Sequence, residues 1–255
     1  MQVLSGPTEL VLVRHGESRG NVADRDAQQL KALRLELEVR DADMPLSDLG
    51  VQQATAVGRH LASQPDDAQP TAVLSSPYAR ALETARGIVD AAGLELDIEL
   101  DERVRERELG VFDGLTGEGI RRLHPEEATR RQWVGKFLYR PPSGESWADV
   151  VLRVRQLMLN ISLSPGAYER LWVVTHQAVI LAFRLALEGL TEAQVLDIDR
   201  GQPLPNCSTT RYRCGTDGRW QLEAFADASP IEGLAAQSHE PPATDREPDD
   251  VAARS

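Results

Sequence analysis

The sequence predicts an α/β protein, a three-layer α/β/α sandwich around a mostly parallel central sheet. Three observations predict it. Short apolar runs alternate with longer helix-patterned stretches through most of the chain, the order produced when helices cross over between parallel strands. Two of those runs, Leu10 to Val13 and Leu171 to Val174, are apolar at every position, as strands covered on both faces are. Each run leads directly to a histidine, His15 in Val13-Arg14-His15-Gly16-Glu17-Ser18 and His176 in Val174-Thr175-His176-Gln177.

Along the chain, Glu9 to Val13 reads as a buried strand. Ser18 to Val39 is polar and rich in helix formers and is expected to be helical, loosening over Arg40 to Asp43. Ser47 is placed to cap the next helix, whose Ala54, Val57 and Leu61 share one face. Gln64 to Pro70 is a loop of breakers, and Thr71 to Ser75 is a second strand. Pro77 stands where a helix start tolerates proline, and Leu82, Ala85 and Val89 give that helix its stripe. Leu94 to Leu100 reads as an edge-like strand, and Glu118 to Trp133 as helix broken at Pro125. Gly144 to Leu159 is the clearest helix, with Trp147, Val150, Val151, Val154, Leu157 and Met158 at helical spacing. Leu171 to Thr175 is a strand, followed by an apolar helix from Ala178 to Leu187. Ser208 to Cys214 and Trp220 to Phe225 pair as a hairpin across Thr216-Asp217-Gly218. Residues 1–228 are expected to form one domain. Residues 229–255, rich in Pro, Ala, Ser and acids without periodicity, are expected to be a disordered acidic tail. Trp133 and Trp147 are assigned to packing, and His60 and His124 to the surface.

Composition narrows the function classes. The chain has 255 residues, 41% of them hydrophobic, enough for a sizeable core. Its formal net charge of -12 argues against gripping nucleic acid or an anionic membrane by bulk charge. No run approaches the roughly 20 apolar residues of a membrane span, and no secretory signal is expected. Cys207 and Cys214 alone make neither a disulfide framework nor a zinc site. The expectation is a cytoplasmic protein with no metal and no cofactor; a homodimer is allowed.

Ligands of open α/β sheets bind beyond the carboxyl ends of the strands. His15, His176 and Ser76 all stand there, and Ser76 leads through Pro77-Tyr78-Ala79 to Arg80. Arg14 and Arg80 offer planar forks suited to phosphate oxygens. Gly16 lets backbone amides approach an anion closely. A neutral His15 can attack phosphorus and become a phosphohistidine, with His176 donating to the oxygens that carry the developing charge. The leaving oxygen needs a proton, and the carboxylate-rich stretch Arg105-Glu106-Arg107-Glu108-Leu109-Gly110 is the best source. Taken singly, each residue also has an ordinary reading: a structural histidine, a solvated helix arginine, a surface ion-pair cluster around Glu106.

Together, Arg14-His15-Gly16-Glu17-Ser18 with Asn21, Pro45-Leu46-Ser47-Asp48-Leu49-Gly50, Ser75-Ser76-Pro77 with Arg80, Arg105-Glu106 ahead of Gly110, and Thr175-His176 resemble the histidine phosphatase superfamily, the phosphoglycerate mutase-like family. The resemblance implies that family's fold, His15 as the phosphorylated residue, and Arg14, Arg80 and His176 as the phosphate pocket. It implies Glu106 as the acid rather than Glu108, and no metal. Lys136 to Trp147 followed by Gln177 is further similar to the fructose-2,6-bisphosphatase domain. By that likeness Lys136, Tyr139, Arg140 and Gln177, with Asn21, hold the substrate. Three positions depart from it: Gly117 follows Thr116 in place of a tyrosine, Leu181 replaces an arginine, and Arg131 fits only with an offset of one. The insertion between Gly20 and Met44 is long enough to cover the mouth of the site. The expected activity is hydrolysis of a small phosphorylated metabolite. A phosphoglycerate mutase-type phosphotransferase and a non-catalytic phosphate-binding module are the alternatives.

Overall fold

The computed structural model describes residues 6–234, apart from residues 165, 167 and 203. Six strands form one sheet: β1 (Glu9–Arg14), β2 (Ala72–Ser75), β3 (Ile98–Leu100), β4 (Arg170–Thr175), β5 (Thr209–Cys214) and β6 (Trp220–Asp227), in the order β3-β2-β4-β1-β5-β6. The four strands from β3 to β1 run parallel, and β5 and β6 add an antiparallel hairpin at the other edge. β1 is buried at every residue, which explains its unbroken apolar sequence.

Strand alternation divides the core into two layers. Leu10, Leu12, Leu171 and Val173 face one side and pack with α6 (Trp147–Ser162) and α7 (Gln177–Glu188). Val11, Val13, Trp172 and Val174 face the other, against α2 (Asp48–Ala62) and α3 (Ala79–Ala92). A small third cluster of Phe112, Leu115, Ile120 and Tyr139 sits with α4 (Gly117–Leu123) and α5 (Pro125–Val134). Ser47 caps α2 through the Gly50 N–H as expected, and Ser146 with Asp149 forms a reciprocal capping box on α6.

Five points differ from the expectations. The helix expected over Ser18 to Val39 is α1 (Arg19–Gln29) alone. Leu33 to Leu37 instead runs extended beside 114–116, with Leu35 N–H donating to the Gly114 carbonyl and Thr116 N–H to that of Leu33. The alternation Leu33, Leu35, Leu37 in Leu33-Arg34-Leu35-Glu36-Leu37-Glu38 is a strand period, and tertiary pairing follows it rather than helix propensity. α8 (Glu192–Gly201) was unforeseen, although Thr191-Glu192-Ala193-Gln194 is a capping box. Trp147 is buried, but Trp133 is 84% exposed and packs on little. His60 is exposed, whereas His124 is half-buried with its ring 5.4 Å from that of Phe112. The stretch assigned to a tail begins with a docked turn, Ser229–Ile231, whose Ile231 is buried in the α2 layer. Residues 235–255 lie outside the described residues.

Candidate active site

β1, β2 and β4 end side by side, so their carboxyl ends bring distant residues to one place. Arg14 is the last residue of β1, and His15 follows it with its N–H on the Thr175 carbonyl at 2.9 Å. His176 follows β4 and is the N-cap residue of α7. Ser76 follows β2, its N–H on the Val174 carbonyl, and Arg80 stands in the first turn of α3. Thr175 Oγ1 donates to the Val104 carbonyl at 2.7 Å and so ties the segment leading to Glu106 to the same strand end.

The two imidazoles meet. Their ring centroids are 5.0 Å apart with a 58° interplanar angle. Donor atoms of His15, Glu106 and His176 all lie within 4.8 Å of one another. His15 Nδ1 bonds the Gly16 carbonyl at 2.7 Å, and a carbonyl only accepts, so Nδ1 carries the proton and Nε2 a lone pair. Burial first, then the charges of Arg80 and Arg14, hold the His15 pKa well below the ordinary histidine range. His176 is fully buried behind the cavity wall. Its Nε2 is 2.8 Å from Ser76 Oγ, and its Nδ1 has no hydrogen-bond partner among the described residues. Burial, then Arg80 and His15, lower its pKa as well.

Glu106 Oε2 is 3.6 Å from His176 Nδ1, and Oε1 accepts the Arg107 N–H at 2.8 Å. Burial is the main cause that raises the Glu106 pKa, against the opposing pull of Arg80. Such a carboxyl keeps its proton to a higher pH than a solvated one. The trio of two imidazoles and a carboxylate also has the donor set to seat a cation. The flanking guanidinium groups of Arg14 and Arg80 oppose a dication there and favour an anion.

Backbone contacts hold this centre. Gly16 N–H donates to Thr84 Oγ1, which in turn donates to the Arg80 carbonyl at 2.6 Å. Asn206 Nδ2 donates to the His15 carbonyl, and Arg14 Nη1 to the Leu204 carbonyl. Glu17 takes Ser47 Oγ and Arg25 Nη1 on its two oxygens and presents its N–H to Gln53. The chain turns so tightly here that a Cβ on Gly50 would lie 2.0 Å from the Glu17 carbonyl oxygen. The Leu46 to Gly50 motif therefore braces the loop after His15.

A cavity of about 190 Å³ opens onto this centre. Arg14, His15, Asn21, Tyr78, Arg80, Glu106, Glu108 and Gln177 all line it. Leu35, Leu37, Asp41 and Met44 of the insertion line it too, so the insertion does cover the mouth. Asp41 was unforeseen. Both its carboxylate oxygens and its backbone carbonyl accept from Arg80, at 2.9, 3.1 and 2.7 Å. No local pattern marks it among the acids of the insertion. Tyr78 also went unmarked, although it stands between Ser76 and Arg80. Its ring lies 5.4 Å from that of His176, with the Arg80 guanidinium 5.1 Å from its centroid.

The expected grip on the rest of the substrate is not assembled. Lys136 Nζ and Gln177 Nε2 both bond Asp199, at 2.9 and 3.0 Å; Gln177 lines the cavity and Lys136 does not. Tyr139 is buried in the third cluster and donates to Glu127 at 2.7 Å. Arg140 is exposed and pairs with the α6 cap residue Asp149. Tyr139 and Arg140 are not among the residues that line the cavity, and Lys136 stands one hydrogen bond behind its wall, at Asp199.

The sequence profile of the Histidine phosphatase superfamily (branch 1) matches residues 10–228. A glucosyl-3-phosphoglycerate phosphatase of Mycolicibacterium vanbaalenii is 32% identical over 187 residues, 71% of this chain and 74% of that protein. A 2,3-bisphosphoglycerate-dependent phosphoglycerate mutase of Methylobacterium radiotolerans is 33% identical over 199 residues, 76% of this chain and 87% of that one. Among solved structures, a mycobacterial glucosyl-3-phosphoglycerate phosphatase matches with a TM-score of 0.65 at 27% identity, over 86% of this chain and 99% of its own. YhfR of Bacillus stearothermophilus matches with a TM-score of 0.68 at 28% identity, over 88% and 98%.

Proposed function

This chain belongs to the histidine phosphatase superfamily, branch 1, and we propose that it hydrolyses small phosphate monoesters through a phosphohistidine on His15. The observation that carries this reading is the free lone pair of His15 Nε2, fixed by the Nδ1–Gly16 bond, in a centre where donor atoms of His15, His176 and the Glu106 carboxyl lie within 4.8 Å of one another. In the first half-reaction Nε2 forms a bond to phosphorus as the ester oxygen leaves with the Glu106 proton. Charge spread over the other phosphate oxygens is met by Arg14, Arg80 and the Nδ1 proton of His176. In the second, the Glu106 carboxylate takes a proton from water, whose oxygen bonds phosphorus and releases His15. Both halves balance without a cofactor.

The cavity volume supports a small substrate. An engineered cavity of about 150 Å³ admits benzene, so this one has room for a phosphate and a short alcohol. No helix among the described residues is long and apolar enough to cross a membrane. His15→Ala is expected to abolish phosphate release across a panel of phosphorylated metabolites while the fold persists. In the wild type, labelled phosphate is expected on His15 in a form lost in acid and kept in alkali. Undiminished hydrolysis by His15→Ala ends the reading.

The mutase reading draws on the relative that carries that name. A mutase must keep water from its phosphohistidine and return the phosphate to a bound product. Incubation with 3-phosphoglycerate separates the two, since isomerisation marks the mutase and inorganic phosphate the hydrolase.

A further inference from the structure

Arg80 is not an open anion site. Asp41 takes both Nη groups on its carboxylate and Nη1 again on its carbonyl, so three of the five guanidinium N–H bonds are engaged. The Nε–H and the second Nη2–H remain, which together make one bidentate edge. A phosphate can use that edge while Asp41 keeps the other. The carboxylate then stays in the cavity wall when the phosphate is seated.

It does not stand alone there. Glu108 and Asp113 line the same mouth, and the charges of Asp41 and Glu108 add to burial in raising the Asp113 pKa. Asp199 lines the wall too, though Lys136 neutralises it. Beyond the phosphate pocket the wall thus carries Asp41, Glu108 and Asp113 with Arg107 as the cation among them, and Asp41 stands closest to Arg80. Two glucosyl-3-phosphoglycerate phosphatases and a phosphoglycerate mutase among the proteins above are named for phosphoglycerate compounds, whose alcohols carry a carboxylate. This cavity is lined against such a group.

We propose that Asp41 is a specificity-determining residue: it shares Arg80 with the substrate phosphate and selects against alcohols that carry a second negative charge. This rests on Arg80 as a phosphate ligand, as read above. Whatever Asp41 does to Arg80 acts on the phosphate common to all substrates and cancels when two substrates are compared. The ratio between a neutral and an anionic alcohol isolates its charge.

Glycerol 3-phosphate and 3-phosphoglycerate differ at one carbon, a hydroxymethyl against a carboxylate. The wild type is expected to favour the former in kcat/KM, and Asp41→Asn to shift the ratio toward the latter by about tenfold, the effect of one unit charge a few ångströms away. Asp43 is the control: it is exposed, pairs with Arg40, and lies two residues from Asp41. Asp43→Asn removes the same formal charge and is expected to leave the ratio unchanged. The affinities of both esters for the His15→Ala protein, with and without Asp41→Asn, read the same ratio without turnover. An unmoved ratio in Asp41→Asn, an equal shift in Asp43→Asn, or no binding of either ester overturns the proposal. A wild type that turns over neither ester, with the binding ratio shifting as expected, instead overturns hydrolysis and leaves the role of Asp41 standing.

Discussion

Replacing Glu106 by glutamine separates proton donation from everything else that side chain does. Glutamine keeps the size, and its carbonyl oxygen can still accept the Arg107 N–H that now meets Oε1 at 2.8 Å. What it cannot do is give a proton to the leaving oxygen. A positioned general acid contributes about 100- to 10,000-fold, or about 2.7 to 5.4 kcal/mol at 1.36 kcal/mol per decade. That loss is expected in kcat/KM, which reads the steps up to the phosphohistidine and not its hydrolysis, for glycerol 3-phosphate, whose alkoxide must be protonated as it leaves. It is expected to shrink to less than about tenfold for p-nitrophenyl phosphate, whose phenolate leaves unprotonated. The pH profile gives an independent sign. Burial raises the Glu106 pKa, so its acid form, the active one, is lost only as pH climbs past that raised value. The alkaline fall in wild-type kcat/KM on the alkyl ester should therefore vanish in Glu106→Gln. The acid limb should stay below the ordinary histidine range, because burial and the two arginines lower the His15 pKa. Phosphate release across pH, on both esters, is the assay. Equal losses on the two esters, or an alkaline limb that survives, refute Glu106 as the donor.

Two further outcomes follow from packing and placement. Gly50→Ala would drive a methyl to 2.0 Å from the Glu17 carbonyl oxygen, and the backbone on both sides has to move. We expect a destabilisation of about 2 to 4 kcal/mol, seen as a Tm lowered by about 4 °C or more in a calorimetric scan. Tyr139→Phe and Arg140→Ala remove contacts to Glu127 and Asp149, not to substrate. Both should keep kcat/KM within about twofold, and a larger loss would place these residues at the cavity after all.

The convergence of His15, His176, Arg14 and Arg80 was legible because each of them is tied to a local signal. An apolar run that ends on a histidine marks a strand end, and in a parallel sheet strand ends are where ligands bind. His15, His176, Arg14 and Arg80 all sit at such ends, so their convergence follows from topology alone. Glu106 was legible only through its spacing to Gly110, since its neighbours are all charged. Gly110 itself has φ 57°, and a Cβ there would lie 2.1 Å from the Pro142 carbonyl oxygen, which explains why the spacing is rigid. The distal residues were not legible. Lys136, Tyr139 and Arg140 lie in a segment whose local pattern fits a substrate grip, yet their partners Asp199, Glu127 and Asp149 come from elements that the pattern does not specify. Asp41 fails for the opposite reason, because its partner is 39 residues away and its own neighbourhood is featureless. The Leu33 to Leu37 segment, which bridges Leu115 through Arg34, carries its two-residue apolar period among residues that also favour helix, so local propensity and tertiary pairing point different ways there.

On the proposed mechanism the two histidines perform different tasks with the same tautomer, and the difference lies in what each proton meets. In His15 the Nδ1 proton is taken by the Gly16 carbonyl, which leaves Nε2 as a base and a nucleophile. In His176 the assignment runs through Ser76. Its Oγ already accepts the Tyr78 N–H at 3.2 Å, so its hydroxyl proton is available to His176 Nε2 at 2.8 Å. His176 Nε2 is the acceptor that this hydroxyl proton meets among the described residues, which assigns the ring proton to Nδ1, 3.6 Å from Glu106 Oε2 and without a hydrogen-bond partner among the described residues. A buried donor left unpaired costs about 1 to 3 kcal/mol. The cost is relieved when an oxyanion arrives, and relieved most when the charge on that oxygen is greatest. An unpaired donor that would be a defect in a core is, at this strand end, an interaction held back for the transition state.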